Sequence, residues 1–299
     1  MAEKSDDKKN IKSSFWWREA VGIFWTIAFI VFLRVYILEP YVIPSESMVP
    51  TLLVGDHVFV ARGAYDFKLP LTNTSLVKVS DPKRGDVVVF DYPRQEDEEN
   101  AGKFFVKRVI GVPGDTIVVK RGVPWVQEKI LTQTSVSSEE SAKEINGFKL
   151  DPRNELYREV IPNAREPFHW VQRMPERFDN LDQVIEIFRE NYGQTCVEVG
   201  RGEHPVLANE VCPFVVPPNK YFVMGDNRDN SSDGRVFGFV DRSLIKGRVL
   251  FIWFSPPPGE VNPYTSGPAI FAALKDMIPG LIRMVQDSGR LARVGAPIH

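Results

Sequence analysis

The stretch Phe104-Phe105-Val106-Lys107-Arg108-Val109-Ile110, running straight into Gly111-Val112-Pro113-Gly114-Asp115, reads as a β-strand closed by a tight turn. Aromatic and β-branched residues dominate the run, and a period of two puts Phe105, Lys107 and Val109 on one face while Arg108 points away. Lys107 then has two readings. In one it sits at a strand edge, its stem on apolar surface and its ammonium in water. In the other it is buried among apolar groups, which disfavours the ammonium. A three-unit fall from the reference pKa of about 10.4 asks for roughly 4 kcal/mol of desolvation and neighbouring positive charge, and makes a usable base near neutrality.

The same pattern of short apolar runs and Gly-Asp punctuation extends on both sides. Val58-Phe59-Val60 follows Gly55-Asp56, and Val87 to Phe90 follows Arg84-Gly85-Asp86. Thr116 to Lys120 and Val123 to Gln127 flank Arg121-Gly122 as a hairpin. Strand-like sequence returns at Phe214 to Val216, Tyr221 to Met224 and Arg248 to Phe254. Between these stretches, residues 128–212 are rich in serine, glutamate, asparagine and arginine, with Asp179 to Tyr192 near helical spacing. The expected architecture is mostly β, with residues 40–127 and 213–262 forming one domain and residues 128–212 inserted into it. Residues 263–299 form a C-terminal segment; Ile270 to Arg293 is apolar and basic, suiting either a packed helix or one lying on a bilayer.

Ahead of the β pattern, Ala20 to Leu38 is an apolar run with Arg34 as its only charge. At about 1.5 Å per residue it nearly crosses a hydrocarbon core of about 30 Å, so a transmembrane helix at 20–38 is expected. A buried core helix and a cleaved signal sequence compete with that reading, but no small-x-small cleavage site follows the run. Lys4, Lys8, Lys9, Lys12 and Arg18 make residues 1–19 a cytoplasmic tail and put the rest of the chain outside. In that compartment Cys196 and Cys212 can pair, worth roughly 3 kcal/mol in the entropy model, the alternative being two buried thiols. The formal net charge of −2 comes from well-mixed residues, which excludes the basic face nucleic acid requires. Four scattered histidines and two cysteines outside any CxxC pair give no metal site.

Immediately beyond the apolar run stands Pro44-Ser45-Glu46-Ser47-Met48-Val49-Pro50-Thr51-Leu52, in which prolines on both sides stiffen a serine pair. Alone, it is a polar turn. A serine nucleophile needs a base, yet there is no GxSxG elbow, and His57 opens a strand in a structural position. Lysine is the remaining candidate. Met224 to Arg235 is a polar loop in which Asp233 and Arg235 can pair and Ser231 can orient an amine.

Taken in order, these motifs resemble the type I signal peptidases. The serine box is Ser47-Met48-Val49-Pro50-Thr51-Leu52 with Gly55-Asp56, and the second box is Arg84 to Phe90. The lysine box is Lys107 to Gly111 with Pro113-Gly114-Asp115, and the last is Gly225 to Ser231 with Asp233 and Arg235. Arg290-Leu291-Ala292-Arg293 also looks like proteobacterial members. The resemblance implies Ser47 as nucleophile, Lys107 as base, Ser45 as a side-chain oxyanion donor beside the Ser47 N–H, and Ser231 as the group orienting the lysine. It also implies Asp233 with Arg235 as a supporting ion pair. Gly234 departs from the family, which usually has serine there. By the same resemblance the fold is a β-rich catalytic domain with a smaller inserted cap and an apolar surface resting on the lipid bilayer, and no metal or cofactor is used. The substrates are secretory preproteins with small-x-small sites. The place is the outer, periplasmic side of a bacterial inner membrane. A cytosolic Ser-Lys protease and a silent signal-peptide-binding scaffold are the alternatives; the first does not need the apolar run, and the second would have lost Ser47 or Lys107.

Overall fold

β-Branched and aromatic runs become strands wherever Gly-Asp turns punctuate them. The computed structural model describes residues 16–27, 38–68, 75–94, 96–120, 123–126, 129–136, 154–174, 214–256, 281, 284 and 288–298. Its strands are β1 (Leu38–Val42), β2 (His57–Ala61), β3 (Asp66–Lys68), β4 (Ser75–Lys78), β5 (Val87–Asp91), β6 (Phe104–Gly111), β7 (Thr116–Lys120) and β8 (Val123–Val126). They continue with β9 (Lys129–Ile130), β10 (Thr132–Ser135), β11 (Glu155–Val160), β12 (His169–Arg173), β13 (Phe214–Val215), β14 (Lys220–Met224), β15 (Val240–Asp241) and β16 (Ile245–Phe254).

The main sheet has the order β1-β2-β16-β5-β6-β14-β15, every neighbouring pair antiparallel. It joins strands from before and after residues 128–212. β6 lies inside it, with Val88 opposite Lys107 and Val223 opposite Val109. The turn that closes β6 places Gly114 at φ +88°, a left-handed conformation that favours glycine. Asp115 N–H returns to Val112 O at 3.0 Å there. The expected hairpin is present, Lys120 pairing with Val123.

Leu38, the last residue of the apolar run, is already the first of β1 and pairs with Ala61. Pro40 is tolerated because β1 is an edge strand, where one N–H has no ladder partner to satisfy. Residues 16–27 are helical, so the helix is under way four residues ahead of Ala20. No helix among the described residues is long and apolar enough to cross a membrane. Residues 28–37 of the run lie outside the described residues, as do the Asp179–Tyr192 segment, Cys196 and Cys212.

The inserted region supplies a three-stranded sheet, β10-β11-β12. Its core is continuous with the main sheet, since Leu131 and Ile161 pack with Ile110, Phe222 and Phe239 in one buried cluster. β9, within the same region, instead extends the sheet β13-β7-β8-β9. At the other end of the chain, residues 288–298 dock on the middle of β16, with Gly295 N–H to Ile252 O at 2.7 Å and Ile298 N–H to Leu250 O at 2.8 Å.

Candidate active site

The link between β1 and β2 carries the serine pair. Prolines keep it out of regular structure, and Glu46–Met48 forms a single 3-10 turn that buries Ser47. The base of the link is fixed by Asp56, which is fully buried and accepts Leu53 N–H at 2.8 Å and Ser255 Oγ at 2.5 Å. Across the sheet, the alternation of β6 turns Lys107 toward this link. Its Nζ lies 2.5 Å from Ser47 Oγ, with both residues buried. Ser45 Oγ stands 3.4 Å from Ser47 Oγ.

Burial is the main cause that draws the Lys107 ammonium down to about 8; Asp233 and Asp226 oppose the fall, and Arg235 adds to it. Arg235 is clamped to Asp233 by two bonds of 2.8 and 2.9 Å. Burial lifts the Asp233 carboxyl, but Arg235 and the Gly225 N–H outweigh it and hold the group below the usual carboxylate range. Asp233 also caps the helical turn Gly234–Phe237 by accepting Arg235 N–H. Ser231 reaches the same neighbourhood, but its buried Oγ has no hydrogen-bond partner among the described residues. A Cβ at Gly225 would collide with Ser231 Oγ and with the Ser47 carbonyl oxygen, so only glycine lets those two groups approach.

Gly234, the departure from the serine usual in type I signal peptidases, has a packing reason. A Cβ there would stand 2.7 Å from Phe222 Cε2 and 2.8 Å from Val223 O. No serine fits without moving the backbone of β14 or the Phe222 ring.

Several supporting residues escaped the sequence reading. Arg108 does face away from Lys107, yet it is 1% exposed, because it forks onto Asp226 with bonds of 2.9 and 2.7 Å. Thr51 Oγ1 donates to the same carboxylate at 2.6 Å. Asn227 holds the link that carries Ser47 directly, N–H to Ser47 O and Nδ2 to Glu46 O, each at 3.1 Å. The density of polar groups in Met224 to Arg235 pointed to a network; its partners, dozens to more than a hundred residues away, left no local signal. His57 packs against Trp253 and Phe254, with ring centroids 5.4 and 5.2 Å away. Among the described residues, no three His, Cys, Asp or Glu side chains stand together as metal ligands.

A model of the family described as "Signal peptidase, peptidase S26" matches residues 16–254. This chain belongs to the signal peptidase family. Signal peptidase I of Buchnera aphidicola subsp. Baizongia pistaciae (strain Bp) is 35% identical over 243 residues, 77% of this chain and 74% of that protein. Signal peptidase I of Aquifex aeolicus (strain VF5) is 33% identical over 280 residues, 89% of this chain and 96% of that one. A crystal structure of a signal peptidase I from Enterococcus faecalis V583 overlays on 57% of this chain and 98% of its own, at 21% identity and a TM-score of 0.29. Membership makes the protein a serine endopeptidase that removes signal peptides.

Proposed function

We propose that Ser47 is the acylating nucleophile and Lys107 its general base. Neutral Lys107 takes the Ser47 Oγ proton as the oxygen attacks the carbonyl at the end of the signal peptide. The oxyanion is held by the Ser47 N–H and the Ser45 hydroxyl, and the lysine passes its proton to the departing amine of the mature chain. A water that gives its proton to Lys107 then attacks the acyl-enzyme and frees the signal peptide. The family resemblance assigns Ser231 the orienting role, although its hydroxyl bonds no described residue, and Asp233 with Arg235 supports the lysine. What carries this reading is the 2.5 Å approach of Nζ to Oγ in a buried setting that favours the free amine. No metal or cofactor enters these steps.

The substrates are preproteins with small-x-small sites, and the apolar run from Ala20 to Ile37 anchors the enzyme as a single-pass span, Leu38 already belonging to β1. Its N-terminus is cytoplasmic and its catalytic domain lies on the outer side of a bacterial inner membrane. Supporting the anchor are the length and apolarity of the run, the basic residues ahead of it, and the exposure of Trp16, Trp17, Phe24 and Trp25 on the helical stretch. A site a few residues past the span meets the substrate where it leaves the bilayer.

The test is cleavage of a purified preprotein by the full-length enzyme in liposomes, with the cut located by mass spectrometry. Wild type should cut once, after a small-x-small site, and Ser47→Ala and Lys107→Ala should not cut while keeping the fold. Normal turnover by either variant would sink the dyad.

A further inference from the structure

The inserted region has no part in the steps above, yet two of its strands reach the surroundings of the nucleophile. Glu159 on β11 is fully buried and engages Arg228 with both oxygens, Nη1 to Oε2 at 2.6 Å and Nη2 to Oε1. Arg228 is itself buried; its Nε donates to Gly225 O at 3.2 Å, and its own carbonyl accepts Arg235 Nη2 at 2.5 Å. His169 on β12 lies in register with Glu159, its Nε2 being 3.2 Å from Glu159 Oε1 and 3.9 Å from Asp226 Oδ1. Gln172 brackets Asn227 through the backbone, its N–H donating to Asp226 O at 2.9 Å and its carbonyl accepting Arg228 N–H at 3.0 Å. On its other side Asn227 holds the carbonyls of Glu46 and Ser47. Residues 225–229 are thus a strip pressed between the inserted region and the nucleophile link.

A buried ion pair is a poor device for stability alone, because a well-packed apolar pair of similar volume often does as well or better. Its geometry is what an apolar pair cannot copy. We propose that Glu159, assisted by His169 and Gln172, is a positioning residue for cleavage: the inserted region holds the Gly225–Asp229 strip against Ser47 and, through Arg228, keeps Arg235 beside Lys107. This rests on Ser47 and Lys107 being the dyad. Three charged groups act on Lys107, Asp233 and Asp226 favouring its ammonium and Arg235 opposing it. If Arg228 loses its carboxylate, it turns toward water, Arg235 loses the carbonyl that fixes it alongside its bonds to Asp233, and as Arg235 shifts Lys107 holds its proton more tightly.

The experiment measures preprotein cleavage from about pH 6 to about pH 10, where the base titrates. It compares the full-length wild type in detergent with Glu159→Gln, the double variant Glu159→Met with Arg228→Met, and Ser47→Ala. Glu159→Gln should lose about 10-fold to 100-fold in kcat with KM changed less than about twofold, as expected for a displaced reacting group. Its acid limb should move up by at least about half a unit. The double variant, free of unpaired charge, should melt near the wild type and still turn over slowly. Wild-type kcat and an unmoved limb in the double variant would overturn the proposal, as would a Glu159→Gln loss accounted for by unfolded protein alone. Cleavage by Ser47→Ala at the wild-type rate would instead remove the dyad itself, a failure that the Glu159 variants do not mimic.

Discussion

Lys107 is held where its charge is expensive. With burial drawing the ammonium down to about 8, about a tenth of the enzyme carries a neutral lysine at pH 7. The pH profile of kcat/KM should therefore rise through an acid limb centred near pH 8. The same shift bears on stability. Between about pH 8 and 10.4 the unfolded chain binds more protons at this residue than the folded one, so stability climbs with pH across that window. Below it the full penalty applies, on the order of 3 kcal/mol. Lys107→Met should abolish cleavage and yet raise the melting temperature at pH 7, and its advantage should shrink by pH 10. Melts of both proteins at the two pH values check this; an advantage that does not depend on pH would mean that packing, not charge, is responsible. Gly234 carries the opposite expectation. Gly234→Ser, although it restores the residue usual in the family, should cost about 1–3 kcal/mol because the added atoms meet Phe222 and the β14 backbone. Urea titration reads that cost directly.

The link between β1 and β2 that carries Ser47 is held from behind by residues 290–293, far along the chain. Arg293, just past the short helix Ser288–Leu291, reaches the buried Asp56 with Nη2 at 2.8 Å and the Thr51 carbonyl at 2.8 Å. Arg290 Nη1 donates to Val54 O at 3.0 Å. Arg293→Leu leaves Asp56, among the described residues, with Leu53 N–H, Ser255 and a 3.5 Å contact to Arg290, and should cost about 3 kcal/mol in urea. Elements of this kind divide sharply in how far the sequence discloses them. β6, β14 and β16 were legible because their runs are long, apolar and bounded by turn residues. β11 was not: Leu156 and Glu159, three apart and so on opposite faces, are the two buried residues of Glu155–Val160, one of them charged, so neither face shows an apolar alternation. Arg108 was placed on the correct face, but the sheet is covered on that side too, and its partner Asp226 lies 118 residues on. The site shows the same split. Ser47 and Lys107 meet because one lies in a 3-10 turn and the other in a regular strand, and Asp233 meets Arg235 because it caps the short helix to which Arg235 belongs. Ser231 comes close through Gly225 without engaging a partner, and nothing in its own sequence neighbourhood specified which way its hydroxyl would face.

At the scale of the whole molecule, one buried charge network spans the main sheet, the polar loop and the inserted region. Asp226, Asp233 and Glu159 all belong to it. Burial lifts each carboxyl, and in each case guanidinium partners, helped by hydrogen bonds, win and hold it below its ordinary value: Arg108 for Asp226, Arg235 for Asp233 and Arg228 for Glu159. Groups shifted this way contribute stability that is complete above their unfolded values near pH 4 and is lost as the pH falls through their folded ones. Acid should thus unfold the protein below about pH 4. Because Glu159 belongs to the inserted region and Arg228 to the loop of the main sheet, neither part can release its protons' worth of stability alone. The two should therefore unfold in a single step. With the other five tryptophans replaced by phenylalanine, Trp170 alone reports on β12 and Trp253 alone on β16, so acid titrations of the two single-tryptophan variants followed by fluorescence should give coincident midpoints. Separated midpoints would mean that the inserted region folds by itself, and that Glu159 and Arg228 meet only after both parts have formed.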